Sequence, residues 1–115
     1  MRRGEVWWAT LQMPQGSAPG YRRPVLIVQA NEFNDSRIAT LVVAVISTNL
    51  DLAAAPGNQL IRKKETKLKR DSVVNVSQLI TINKTALTER VSTLSGRRMA
   101  AVDAGLRLVL GIPKS

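Results

Sequence analysis

From residue 1 to residue 83 the apolar positions fall in short runs broken by turn chemistry, and after that the period lengthens to that of a helix. The first run, Glu5-Val6-Trp7-Trp8-Ala9, is bulky and aromatic and predicts a strand. Successive strand residues point to opposite faces, so Trp7 and Trp8 cannot enter one core together. One is expected inside, with the other available to stack or to meet a second subunit. Residues 13–20 hold two prolines, two glycines and a serine, too many breakers for either regular element. A loop follows from that.

Residues 24–28 form a continuous apolar run opened by Pro24, as expected of a strand covered on both faces with its proline at the permitted first position. After a polar turn over residues 31–36, residues 38–46 give a second long run rich in β-branched side chains. It stops at Ser47-Thr48-Asn49, which places three polar side chains at the exit of a buried strand. Ala55-Pro56-Gly57-Asn58 reads as a turn, followed by residues 59–62 and a charged segment, and residues 72–77 read as an alternating strand that residues 79–82 extend. Past Lys84, Leu87 and Val91 predict one short helical turn. Met99, Val102, Leu106 and Val109 then mark one face of a longer helix, with Ser95 as N-cap and Gly111 and Pro113 as the stop. Five or more strands ending in an amphipathic helix predict a mainly β fold, a small twisted barrel or half-barrel with the helix packed beside it.

The chain has 115 residues and a mass of 12.6 kDa, which fits one domain spanning residues 1–115 with a thin core that dimerisation would help. Cysteine and histidine are both absent, which removes disulfides, thiol nucleophiles, zinc fingers and imidazole bases. The net charge of +9 favours polyanionic partners, and it is unevenly spread. Residues 1–58 carry five basic and four acidic groups, residues 59–115 twelve and four. No apolar stretch is long enough for a membrane span and the first residues lack the core of a secretory signal, so the expected address is cytoplasmic.

Arg22-Arg23-Pro24 stands where the breaker-rich loop meets a core strand, and a guanidinium offers a planar fork of donors suited to phosphate. A solvated pair at a strand edge would look the same. Thr48 could donate its hydroxyl to a phosphate oxygen or a ribose, but threonine is also an ordinary strand residue. Residues 62–70 carry six basic groups and one acidic, which could guide an RNA backbone or merely form a charged loop. The eight carboxylates show no metal-binding spacing, and neither a Walker-type phosphate loop nor a dinucleotide fingerprint is present. No metal and no cofactor are expected.

Taken together and in order, several segments resemble the MazF/PemK/Kid toxins of bacterial toxin-antitoxin pairs. These are Arg3-Gly4-Glu5-Val6-Trp7-Trp8, Gly16-Ser17, Arg22-Arg23-Pro24-Val25-Leu26-Ile27-Val28-Gln29, Phe33-Asn34, Ser47-Thr48-Asn49, Pro56-Gly57-Asn58, Asp71-Ser72-Val73-Val74-Asn75-Val76 and the terminal helix. Pro56-Gly57-Asn58, residues 71–76 and Asn83-Lys84-Thr85 look most like the mycobacterial branch. The resemblance implies an SH3-like twisted β-barrel with a C-terminal helix, built as a homodimer. It further implies a sequence-specific, metal-independent endoribonuclease in which the ribose 2′-hydroxyl attacks its own phosphodiester and expels a 5′-hydroxyl, arresting translation and growth.

On that resemblance Arg23 and Thr48 are the catalytic pair, Arg23 as phosphate clamp and proton donor and Thr48 as the hydroxyl that orients the phosphate. Ser17, Tyr21, Arg22, Ser47, Asn49, Ser77 and Gln78 are the expected RNA contacts. The implied partners are single-stranded RNA and an acidic, partly disordered antitoxin of the MazE type that lies across the same groove. The chain departs from the family pattern at Ala18 and Ser77, where many members carry acidic residues, and this leaves the proton acceptor unassigned. Two alternatives stay open on the sequence: a basic barrel that binds RNA or protein without cutting, and a gyrase-directed toxin of the same fold. That last group ends in Trp-Gly-Ile, where this chain has Leu110-Gly111-Ile112 and a short tail.

Overall fold

The computed structural model describes residues 1–11 and 21–114. The loop expected over residues 13–20 lies wholly outside the described residues, and Ser17 with it. Six strands are present: β1 (Glu5–Leu11), β2 (Tyr21–Ile27), β3 (Thr40–Ser47), β4 (Gln59–Ile61), β5 (Ser72–Asn83) and β6 (Leu87–Thr93). Short helices α1 (Asn31–Asn34) and α2 (Lys63–Thr66) sit in connections, and α3 (Gly96–Leu110) closes the chain. The strands form one antiparallel sheet in the order β4-β5-β3-β2-β1-β6.

The sheet curls because its longest strand is bent. Ala44 on β3 pairs with Leu79 on β5, yet the next residue, Val45, pairs with Asn75, so residues 76–78 have no counterpart and the ladder turns there. Curling lets both faces of the sheet bury apolar side chains, which is why the runs at β2 and β3 are continuous rather than alternating. On one face Val6, Leu26, Ala44, Ile46, Val74 and Val76 form a core with Val102 of α3, and Trp8, Met99 and Leu106 pack against it. On the other, Ala9, Val25, Ile27, Leu41, Val43 and Leu87 form a second core flanked by Trp7, Tyr21, Ile80 and Ile82. The two tryptophans thus separate as their adjacency requires, Trp8 to the helix side and Trp7 to the opposite side. The result is a half-barrel with a C-terminal helix, and α2 touches β6 across the open edge.

Helix α3 follows its sequence signals. The Ser95 side chain accepts from the Arg98 N–H, and Gly111 ends the helix at φ 69°, a left-handed conformation that suits glycine. Of the predicted face, Met99, Val102 and Leu106 face the core, but Val109 is exposed because the sheet ends before the last helical turn does. The helix approaches the turn before β4 so closely that a Cβ on Gly105 would overlap the Gly57 carbonyl.

Two expectations change. The helical turn at Leu87 and Val91 is in fact the strand β6, and its period of two is hidden by register shifts opposite Val6/Trp7 and Trp8/Ala9. Pro24 is the fourth residue of β2 rather than the first, which is tolerated because the β2–β3 ladder ends at Val25, so that β3 asks nothing of the missing N–H.

Candidate active site

Strands β2 and β3 run antiparallel with Val25 opposite Val45. Continuing that register outward brings Arg23 level with Ser47 and beside Thr48, at the rim where β3 ends and β2 runs on paired with β1 alone. A cavity of about 510 Å³ opens there, with a floor of Trp8, Pro24, Ile46 and Leu68. Its rim carries Arg23, Ser47, Thr48 and Asn49 from the strand ends, and Lys69 and Arg70 from the connection between α2 and β5. No carboxylate lines it among the described residues, so three cations face the opening with nothing to neutralise them at close range.

The rim is rigidly set. The Ser47 hydroxyl accepts from the Asn49 N–H at 3.1 Å, and the Asn49 side chain accepts from the Asp51 N–H at 3.1 Å, capping the following 3-10 turn. These bonds shape the turn that presents the exposed hydroxyl-bearing residue Thr48. The adjacent arginines differ. Arg22 pairs with Glu89 at 3.0 Å and lies 4.6 Å over the Trp8 ring, whereas Arg23 has no carboxylate partner among the described residues and lies 5.5 Å over the Tyr21 ring. Arg22 is thus occupied by Glu89 and by the Trp8 ring, and Arg23 is the one left available for an anion.

Of the predicted contacts, the structure gathers Arg23, Thr48, Ser47 and Asn49 into one cavity. Tyr21 and Gln78 line a second hollow of about 760 Å³, bordered also by Thr10, Leu11 and Ile80. The Arg23–Tyr21 stacking links the two hollows. Arg22 lines neither, being held by Glu89, and Ser77 sits in the bend of β5 with its hydroxyl donating to Asn75 at 2.7 Å. Lys69, Arg70 and Trp8 are site residues that the sequence did not single out. The six-cation run over residues 62–70 was the signal for the first two, and only the fold distinguishes them from their neighbours.

Carboxylates around the site remain ionised and occupied. Asp71 is held below the usual aspartate range chiefly by the Lys63 N–H, with the Arg62 side chain adding to it. Glu65 is held low chiefly by the Arg62 N–H and then by Arg98. On the far side of β1, burial works to raise Glu5, but hydrogen bonds from the Arg2 N–H and the Trp7 indole, with the positive charges of the N-terminus and Arg90, outweigh it and lower it. None of the three lines the cavity, and no group of three or more carboxylates among the described residues is arranged to hold a metal ion.

A curled β half-barrel with a terminal helix and a cavity at its rim lined, among the described residues, by three cations and no carboxylate defines a small basic β protein. The family model described as "PemK-like, MazF-like toxin of type II toxin-antitoxin system" matches residues 2–110, and the chain belongs to that family. It is 50% identical over 110 residues to "Endoribonuclease MazF2" of Mycobacterium bovis and to "Endoribonuclease MazF6" of Mycobacterium tuberculosis, covering 96% of each chain. Among solved structures, a mycobacterial endoribonuclease in complex with its cognate antitoxin superposes with a TM-score of 0.78 at 22% identity, over 100% of this chain and 99% of that one. The MazE–MazF complex from Deinococcus radiodurans gives 0.79 at 15% identity, over 98% and 97%. Those two likenesses establish the fold.

Proposed function

We propose that this chain is the toxin of a type II toxin-antitoxin pair and that it cleaves single-stranded RNA without a metal ion, residues 1–115 acting as one domain. The observation that carries the reading is the convergence of Arg23 and Thr48, singled out separately along the sequence, on one rim cavity. The 2′-hydroxyl of the nucleotide bound there gives its proton to solvent water as its oxygen attacks the adjacent phosphorus, the O2′–P bond forms as the P–O5′ bond breaks, and O5′ takes up a proton, so that the products are a 2′,3′-cyclic phosphate and a 5′-hydroxyl. Arg23 and Thr48 donate to the phosphate oxygens as charge builds on them, the kind of preorganised donation that lowers such barriers most. A guanidinium stays protonated and serves as a poor base, so Arg23 acts as clamp and as proton donor to O5′.

The same cationic cavity suits an acidic antitoxin segment that competes with RNA, and the excess of positive charge makes both complexes salt-sensitive. The toxin acts in the cytoplasm as a homodimer, and the exposed Leu108, Leu110 and Ile112 beyond the end of the sheet supply apolar surface of the kind that subunits cover. The test is to incubate the purified protein with a single-stranded transcript pool in excess chelator and map the ends. Discrete fragments carrying a cyclic phosphate, and protection of any site given a single 2′-deoxy nucleotide, are expected. RNA retained but uncut, or cutting of the deoxy-substituted site, overturns the reading.

A further inference from the structure

Residues 62–70 carry six cations, but the fold treats them differently. Arg62 is engaged by Asp71 at 3.3 Å, and Lys63, Lys64 and Lys67 are exposed and do not line the cavity. Lys69 and Arg70 alone of this run reach the rim cavity, on the wall that faces the strand ends bearing Arg23 and Thr48.

Their position is built rather than incidental. Thr66 is fully buried and its hydroxyl accepts from the Leu68 N–H at 3.1 Å. Lys67 turns the chain through φ 64°, a left-handed conformation uncommon for a residue with a side chain. That turn drives Leu68 into the helix-side core. Immediately after the pair, Asp71 is tied to Arg62 and to the Lys63 N–H, and the Ser72 hydroxyl donates to the Arg70 carbonyl at 3.0 Å. Glu65 adds a bond to Arg98 of α3. Two exposed cations are thereby displayed on a segment fixed before and after them, with no carboxylate partner for either among the described residues.

Resting on the ribonuclease reading above, we infer that Lys69 and Arg70 hold a phosphate one linkage removed from the scissile one. Arg23 and Thr48 take the cut phosphate at the strand ends, the apolar floor receives the intervening nucleotide, and the loop-borne pair fixes the next charge along the chain. The pair thus sets substrate affinity and its salt dependence, while the chemistry stays with the strand-borne pair.

The experiment uses the full-length protein and a short oligoribonucleotide spanning a cut site mapped on a transcript pool. In K69A and R70A, KM should rise about 10-fold per side chain, as expected for one charge-assisted phosphate contact each, with kcat within about two-fold of the parent. In the double variant the dependence of log KM on log salt should flatten by about 0.7, since the pair neutralises one phosphate of a single strand. K63A/K64A removes as much charge from the same run outside the cavity and should change neither. Replacing one linkage flanking the cut by a neutral methylphosphonate should weaken binding to the parent and leave the K69A/R70A variant indifferent. Equal loss in the two double variants, or a methylphosphonate effect that survives in K69A/R70A, overturns the inference. A parent protein that cuts no RNA overturns the ribonuclease reading instead.

Discussion

The two walls of the rim cavity are cationic for different structural reasons. Arg23 lies within β2 just before its pairing with β3 begins and Thr48 directly follows β3, close to the buried Val25 and Val45, so their positions are inherited from the hydrophobic core. Lys69 and Arg70 stand on a connection held by one buried leucine, a left-handed residue and a few polar ties. A group that must stabilise charge in a transition state needs the tighter placement, whereas a group that neutralises a neighbouring phosphate tolerates a looser one. The strand wall should therefore govern turnover and the loop wall affinity.

The largest effect that can break this contrast is at Arg23. R23A should lower kcat about 1,000-fold, the upper range for loss of one preorganised donor, and the melting temperature should move little, since the side chain sits at a surface rim. Single-turnover cleavage and thermal unfolding measured together check it; a variant that keeps full turnover refutes the assignment. Thr48 comes next: T48A should cost about 100-fold in kcat and T48S most of a recovery, because the hydroxyl and not the methyl is used. Equal loss in both variants would point to packing in place of donation.

Leu68 then tests whether the loop wall is held by the core. L68A should destabilise the fold by about 2–3 kcal/mol, read from urea unfolding, and raise KM more than it lowers kcat as Lys69 and Arg70 lose their anchor. An equal fall in kcat would mean that the two walls move together. The smallest effect concerns Glu65. Its carboxyl is held below its usual range by the Arg62 N–H and Arg98, so the stabilisation it gives is present above the unfolded-state pKa and is lost as pH falls through the lower folded value. E65Q should thus be slightly less stable than the parent at pH 7, with the gap closing as acid is added. Urea midpoints at about pH 7 and pH 3 measure it, and a gap that widens in acid contradicts the sign.

Much of this was legible along the chain. Continuous runs at residues 24–28 and 38–46 demanded strands covered on both sides, and Ser95 with Gly111 bracketed the last helix, because caps and periodicity are local properties. Arg23 and Thr48 were visible as polar groups at the margins of such strands. Strand β6 was not, since its bulges disrupt the alternation that would have marked it. Trp8 could not be told from Trp7, and Lys69 and Arg70 could not be told from the four other cations of their run, for nothing within a few residues says which will face a cavity.

The sequence by itself therefore determined strands β1, β2, β3 and β5 and the terminal helix, the excess of positive charge and the chemical types available for gripping a phosphate, each set by side-chain pattern over a short window. Tertiary structure alone decided that residues 23 and 48 share a cavity with residues 69 and 70, and that Arg22 is held by Glu89. Those outcomes depend on antiparallel register, on the three-residue bend in β5 and on burial of Leu68, which are agreements between segments far apart in the chain.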